Sequence, residues 1–190
     1  MYKLTLATLL LLCPFLGTEI VAKDKPAPTK TVVQHNAPLG VDYILAEYYL
    51  PVKSRGAFGT TLAPKPYIVQ NLDGSKTQFE LALVYSGWSP PCCFLPIHIV
   101  VDGSDVLSVK ADADKQGFGS TISGTVFNIV LPDEVMRKIA NGTEVWVTIP
   151  QYGEQRQISK QLGPEQLATF KLIVEAYDRI TRQTAGEPAN

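Results

Sequence analysis

Apolar and polar residues alternate through the middle of the chain. Within Lys76 to Tyr85, the residues Phe79, Leu81, Leu83 and Tyr85 fall on one face and Gln78, Glu80, Ala82 and Val84 on the other. A period of two marks a strand with one buried face. Further strands are expected over Val41 to Leu50, Phe94 to Val101, Val106 to Lys110, Thr121 to Leu131 and Glu144 to Ile149. Gln155 to Ser159 is expected to pair with the last of these across Gln151-Tyr152-Gly153. Asn71-Leu72-Asp73-Gly74-Ser75 and Asp102-Gly103-Ser104 read as turns, since Asp-Gly readily supplies the positive φ of a tight hairpin.

The period becomes helical twice. Pro132-Asp133-Glu134 opens a short helix with its acids at the positive end, and Asn141-Gly142 stops it. Pro164, after Gly163, opens a longer helix in which Leu167, Phe170, Ile173, Val174, Tyr177 and Ile180 form a stripe. Such a stripe must cover an apolar surface, most simply one face of a sheet. The fold class expected is α+β and mainly β: an antiparallel sheet or β-sandwich with a short helix and a C-terminal helix packed on it.

The N-terminus follows another pattern. Met1-Tyr2-Lys3 carries one positive charge, Leu4 to Leu12 is almost wholly apolar, Pro14 breaks the run, and Ala22 is a small residue at a cleavage point. Residues 1–22 read as a secretory signal peptide. The apolar run falls short of the roughly 20 residues a membrane-spanning helix needs. Lipid attachment at Cys13 would need a small residue before it, and Leu12 stands there. Residues 23–40 are expected to form an extended, Pro-rich leader that leaves His35 in solvent. Residues 41–183 are expected to form one β-rich domain and residues 184–190 a flexible tail. The expected destination is the periplasm or the exterior, where disulfides persist.

Composition narrows the choice. The chain is 45% apolar with net charge −1, which excludes a disordered segment and a generic nucleic-acid binder. After signal removal, Cys92 and Cys93 are the only cysteines. Adjacent Cα atoms lie about 3.8 Å apart, closer than an ordinary disulfide prefers, so a vicinal bond would be strained. Three readings stand: a vicinal disulfide stiffening the Pro90-Pro91 loop, a bridge between two chains, or two buried thiols. Tetrahedral zinc wants four ligands and the chain has two histidines, so no metal or cofactor is expected.

No catalytic constellation stands out. Gly-x-Ser-x-Gly is absent, and the Gly- and Ser-rich stretch Gly117 to Gly124 lacks the Gly-Lys-Ser/Thr ending of a phosphate loop. His98, between Ile97 and Ile99, reads as a satisfied structural histidine without a nearby partner in sequence, and Asp112 and Asp114, with Asp102 and Asp105 upstream, as solvated turn acids. Ser86-Gly87-Trp88-Ser89-Pro90-Pro91 presents an aromatic beside prolines between two strands. Rigid loops bearing exposed aromatics favour recognition, so Trp88, Pro90, Pro91 and Phe94 form the candidate binding loop; the alternative folds Trp88 back over the sheet edge.

From about Phe79 onward the chain resembles uncharacterised exported bacterial β-rich domains. The resemblance rests on Phe79-Glu80-Leu81-Ala82-Leu83-Val84-Tyr85, Ile97-His98-Ile99-Val100-Val101-Asp102-Gly103 and Leu131-Pro132-Asp133-Glu134. It continues through Ile139-Ala140-Asn141-Gly142, Val145-Trp146-Val147 and Leu162-Gly163-Pro164-Glu165-Gln166-Leu167. The order of short helix, strand and terminal helix also resembles the invasion-associated locus B family more faintly. That family carries a Gly-Cys pair in mid-chain, where this sequence has Cys92-Cys93 without the glycine. The resemblance implies an exported β-rich fold and carries over no catalytic residue.

The function expected is an exported, non-enzymatic binding or interaction domain of the bacterial cell envelope. Its partner would be another protein or an envelope component, with no nucleic acid and no membrane span after cleavage. The alternatives are an exported hydrolase or thiol-redox enzyme using His98, Cys92 or Cys93, and an inhibitor or immunity protein against an envelope toxin.

Overall fold

Alternation along the strands resolves into two antiparallel sheets that turn their apolar faces to one core. The computed structural model describes residues 26–53, 61–86, 96–110, 125–150 and 157–184. The signal peptide expected over 1–22 lies outside the described residues. The first sheet holds β1 (Thr31–Asn36), β2 (Val41–Ala46), β3 (Val52–Lys53), β4 (Thr61–Asn71), β5 (Thr77–Ser86) and β8 (Thr125–Leu131). Its order is β1-β2-β4-β5-β8, with β3 also pairing β4. The second sheet holds β6 (Pro96–Val101), β7 (Ser104–Lys110), β9 (Val145–Pro150) and β10 (Gln157–Gln161), in the order β10-β9-β6-β7. Helix α1 (Asp133–Asn141) follows β8, and α2 (Pro164–Thr184) ends the described chain.

The core gathers the inward residues of both sheets. Ile68, Phe79, Leu81, Leu83, Phe127 and Ile129 come from the first, and Ile97, Ile99, Val145, Val147 and Ile149 from the second. Leu167, Phe170 and Ile173 of α2 and Met136 and Ile139 of α1 join them. The Phe79 ring stacks on Tyr177 at 4.1 Å between centroids, which fixes α2 over the sheet. Each such side chain is worth about 1.5–3 kcal/mol when fully buried. Arg137 adds a two-pronged ion pair between the helices, with Nη2 to Asp178 Oδ1 at 2.6 Å and Nη1 to Oδ2 at 3.2 Å. A partly exposed pair of this kind contributes about 0.5–1 kcal/mol, so the apolar stripe dominates the docking of α2.

Helix α2 begins as its sequence predicts. Gly163 precedes Pro164, whose missing N–H is no loss at the first helical position. Gln166 reaches back to accept the Gly163 N–H at 2.9 Å, and its amide donates to the Leu50 carbonyl at 3.3 Å, tying the helix to the β2–β3 connection. Helix α1 ends at Asn141 as expected, but for another reason. Gly142 has φ −66°, outside the left-handed region. Its lack of a side chain matters because a Cβ there would sit 2.6 Å from Val101 Cγ1.

Two differences from the sequence reading concern the first sheet. The leader expected over 23–40 is shorter than proposed, because Thr31–Asn36 pairs with β2 along its whole length. Pro26 and Lys30 also accept hydrogen bonds from the Tyr48 hydroxyl and the Glu47 N–H. His35 is exposed as expected, yet its Nδ1 lies 2.8 Å from Asp42 Oδ1 across the β1–β2 pair. Strand β4 goes unpredicted because it contains Pro64 and Pro66. Those prolines fall between the stretch paired with β3 and the stretch paired with β2. There the Pro66 carbonyl accepts from the Tyr49 hydroxyl at 3.3 Å, so that edge asks for no backbone donor from either proline. No helix among the described residues is long and apolar enough to cross a membrane.

Gly142→Ala is expected to destabilise the domain by about 1–3 kcal/mol, the usual cost of overpacking a filled site. Urea unfolding measures it, and a shift within about 0.5 kcal/mol would show that Val101 yields freely.

Candidate functional site

The second sheet has one face in the core and one in solvent. Because Ile97, Ile99 and Val101 point inward, His98 and Val100 point outward; because Val145, Val147 and Ile149 point inward, Trp146 and Thr148 point outward. The register then sets these residues in rows. Thr148 lies opposite His98 on one side and Ser159 on the other, and His98 lies opposite Ser108. In the next row Trp146 lies opposite Val100 and Gln161, and Val100 lies opposite Asp105.

A β-bulge places Asp105. Ile99 pairs with Leu107 but Val100 pairs with Asp105, which leaves Val106 as an extra residue on β7. Regular pairing would have set Asp105 opposite Val101, whose side chain is buried. The bulge turns Asp105 to the outer face, where Oδ2 meets His98 Nδ1 at 3.0 Å. The partner of His98, not evident near it in sequence, is thus Asp105. Seven residues separate the two in sequence, and only the hairpin with its bulge joins them.

Two further contacts stiffen the same face. The Trp146 indole N–H donates to Glu144 Oε1 at 2.8 Å, and the hydroxyls of Thr148 and Ser159 are 2.8 Å apart. Side chains on an open sheet face ordinarily sample several rotamers. Here His98, Trp146 and Thr148 each have a fixed neighbour, which lowers the ordering cost of binding.

Asp102 is no free turn acid either. Its Oδ1 accepts from the Thr143 hydroxyl at 2.7 Å, the Thr143 N–H at 3.1 Å and the Glu144 N–H at 2.8 Å. The Glu144 amide and the Thr143 hydroxyl hold its carboxyl below the ordinary range. Asp102 and Gly103 both have positive φ, 48° and 79°, the twist of a two-residue hairpin turn. The contact fastens the β6–β7 turn to the start of β9 and so aligns the strands bearing His98 and Trp146.

The outer face of the first sheet holds a different cluster. Lys65 on β4 is only 2% exposed, with Nζ 5.4 Å above the Tyr49 ring. Nearby, the buried Tyr67 hydroxyl donates to Glu80 Oε2 at 2.6 Å, and Gln78 donates to Oε1 at 2.7 Å. Burial, reinforced by Glu80, pushes the Tyr67 phenol far above its usual range. Burial also lowers the Lys65 amine from 10.5 to about 8. Leu45, Tyr67 and Ala82 form a small apolar cluster around this position.

The candidate loop residues Trp88, Pro90, Pro91, Cys92, Cys93 and Phe94 lie outside the described residues, as do Asp112, Asp114 and Gly117 to Gly124. No group of three or more His, Cys, Asp or Glu side chains suited to a metal occurs among the described residues. Comparison with protein-family models, with curated proteins and with solved structures returns no match.

The Lys65 amine gives a signed pH prediction. Between about pH 8 and 10.5 the unfolded chain binds the proton that folded Lys65 has lost, so the Lys65 contribution to stability rises with pH in that window and is flat below it. Lys65→Met should remove the rise. Urea midpoints between about pH 7.5 and 9.5 test this, and an unchanged slope in the variant would contradict it.

Proposed function

We propose that the protein is an exported, non-catalytic binding domain of the bacterial cell envelope. In this reading the signal peptide over 1–22 is cleaved, and the outer face of the β10-β9-β6-β7 sheet contacts the partner. One observation carries the choice of face: the bulge at Val106 sets Asp105 against His98, in rows with Trp146, Thr148 and Ser159. The bulge turns the Asp105 carboxylate to solvent while Val106 packs against the core, and a carboxylate re-aimed in this way makes sense as part of a contact surface.

A hydrolase is the second reading, favoured by the same pair. Asp105 on Nδ1 orients His98 as an acid orients a general base, with hydroxyls on both adjacent strands. The surroundings favour binding. The His98 and Asp105 side chains are 31% and 48% exposed, and charge developing in so open a site gains little from preorganised dipoles. Among the described residues no hydroxyl bonds to His98.

Retention on washed envelope fragments tests the proposal. The purified wild-type protein should be retained, and His98→Ala or Asp105→Asn should lower retention about tenfold while the unfolding midpoint stays within a few degrees. Equal retention of both folded variants would remove this face, and export without loss of residues 1–22 in the intact mass would remove the signal-peptide part.

A further inference from the structure

The chemistry of the outer face selects among partners. A polyanion needs several basic groups, and the side chains described on this face include the carboxylates of Asp105 and Glu144. A lipid surface or an apolar protein patch needs contiguous exposed apolar side chains. Among the described residues the large exposed ones, Val32, Val33, Leu39, Leu72 and Val130, all belong to the first sheet and its turns. Among its described residues the second sheet presents one half-buried indole, with half-buried Val100 opposite it, among hydroxyl, amide, imidazole and carboxylate groups.

We infer that this face binds a neutral polysaccharide strand, with the Trp146 ring as the stacking platform and His98, Asp105, Thr148, Ser159 and Gln161 as the hydrogen-bonding rim. The inference rests on the binding reading above and names its ligand class. A sugar ring has an apolar C–H face and an equatorial girdle of hydroxyls. The first suits an indole and the second suits groups that both donate and accept. Gln161 stands directly opposite Trp146, and the Thr148–Ser159 pair lies two residues along the same strands. Across the strands Ser159, Thr148, His98 and Ser108 stand in one row, so polar groups recur there at the strand spacing of about 4.8 Å, close to the length of one sugar unit. The indole N–H is already engaged by Glu144, so its edge is fixed and its ring does not turn over on binding. Sugars bind weakly per contact, and fixed side chains reduce the ordering cost that would otherwise cancel the gain.

The test uses the purified full-length protein, protein-free peptidoglycan sacculi in co-sedimentation, and soluble chitohexaose and cellohexaose in titration calorimetry. Binding to at least one is expected, about tenfold weaker in Trp146→Ala and largely restored in Trp146→Phe. Gln161→Ala, at an exposed position that leaves the core intact, serves as the second variant should Trp146→Ala fail to fold. The affinity should hold between about 50 and 300 mM salt, as for an uncharged ligand. Absence of binding to all three, or a steep loss with salt, overturns the polysaccharide assignment. Envelope retention that survives glycosidase digestion but not protease makes the partner a protein; the ligand class then fails while the binding face stands. Retention indifferent to His98→Ala and Asp105→Asn fails the binding reading itself.

Discussion

Alternation on β6 and β9 is the constraint on which the rest of the structure depends. Ile97, Ile99, Val101, Val145, Val147 and Ile149 are essentially buried in the shared core. A slip of one residue would expose all of them together, at about 1.5–3 kcal/mol each, so the register is held far more firmly than any surface contact could hold it. Whatever stands between those residues is therefore presented to solvent in a fixed order. His98, Val100, Trp146 and Thr148 occupy the outer face because their neighbours cannot leave the core.

Smaller devices refine that presentation. Asp102 joins the β6–β7 turn to Thr143 and Glu144, and the glycine at 142 lets the chain pass close beside Val101. Both act at the end of the hairpin from which the Val106 bulge departs. The bulge moves one carboxylate from the inward to the outward side without disturbing Leu107 or Val109, which remain packed against the core. Glu144 serves this region twice: its N–H helps bind Asp102, and its carboxylate holds the Trp146 indole. The turn and the outer face are thus mechanically linked. Arg137 and Asp178 act elsewhere, aligning α1 with α2, and contribute less than the apolar stripe of α2 beneath them.

Most of the fold was legible where local pattern and burial agree. Phe79, Leu81, Leu83 and Tyr85 are buried as their alternation predicts, and both helices start and stop close to the expected residues. Strand β4 was illegible because Pro64 and Pro66 argue against a strand unless an edge is free of ladder demands, and that gap arises only from the separate pairings of β2 and β3. In the Asn71 to Ser75 turn, Gly74 alone takes positive φ, so Asp-Gly was read correctly as a turn but not in its detail. The candidate face was hardly legible at all. Alternation shows that His98 points away from Ile97 and Ile99, but the pairing with Asp105 needs both the hairpin register and its bulge. Alternating exposure of Trp146 and Thr148 within Glu144 to Ile149 was the signal that could have pointed there.

The most direct test of the account is a map of amide shift changes in the labelled protein as soluble fragments of envelope polysaccharide are added. The account predicts changes clustered at His98, Val100, Asp105, Ser108, Trp146, Thr148, Ser159 and Gln161. Changes confined to α2 or to the first sheet, with those residues unmoved, would contradict it.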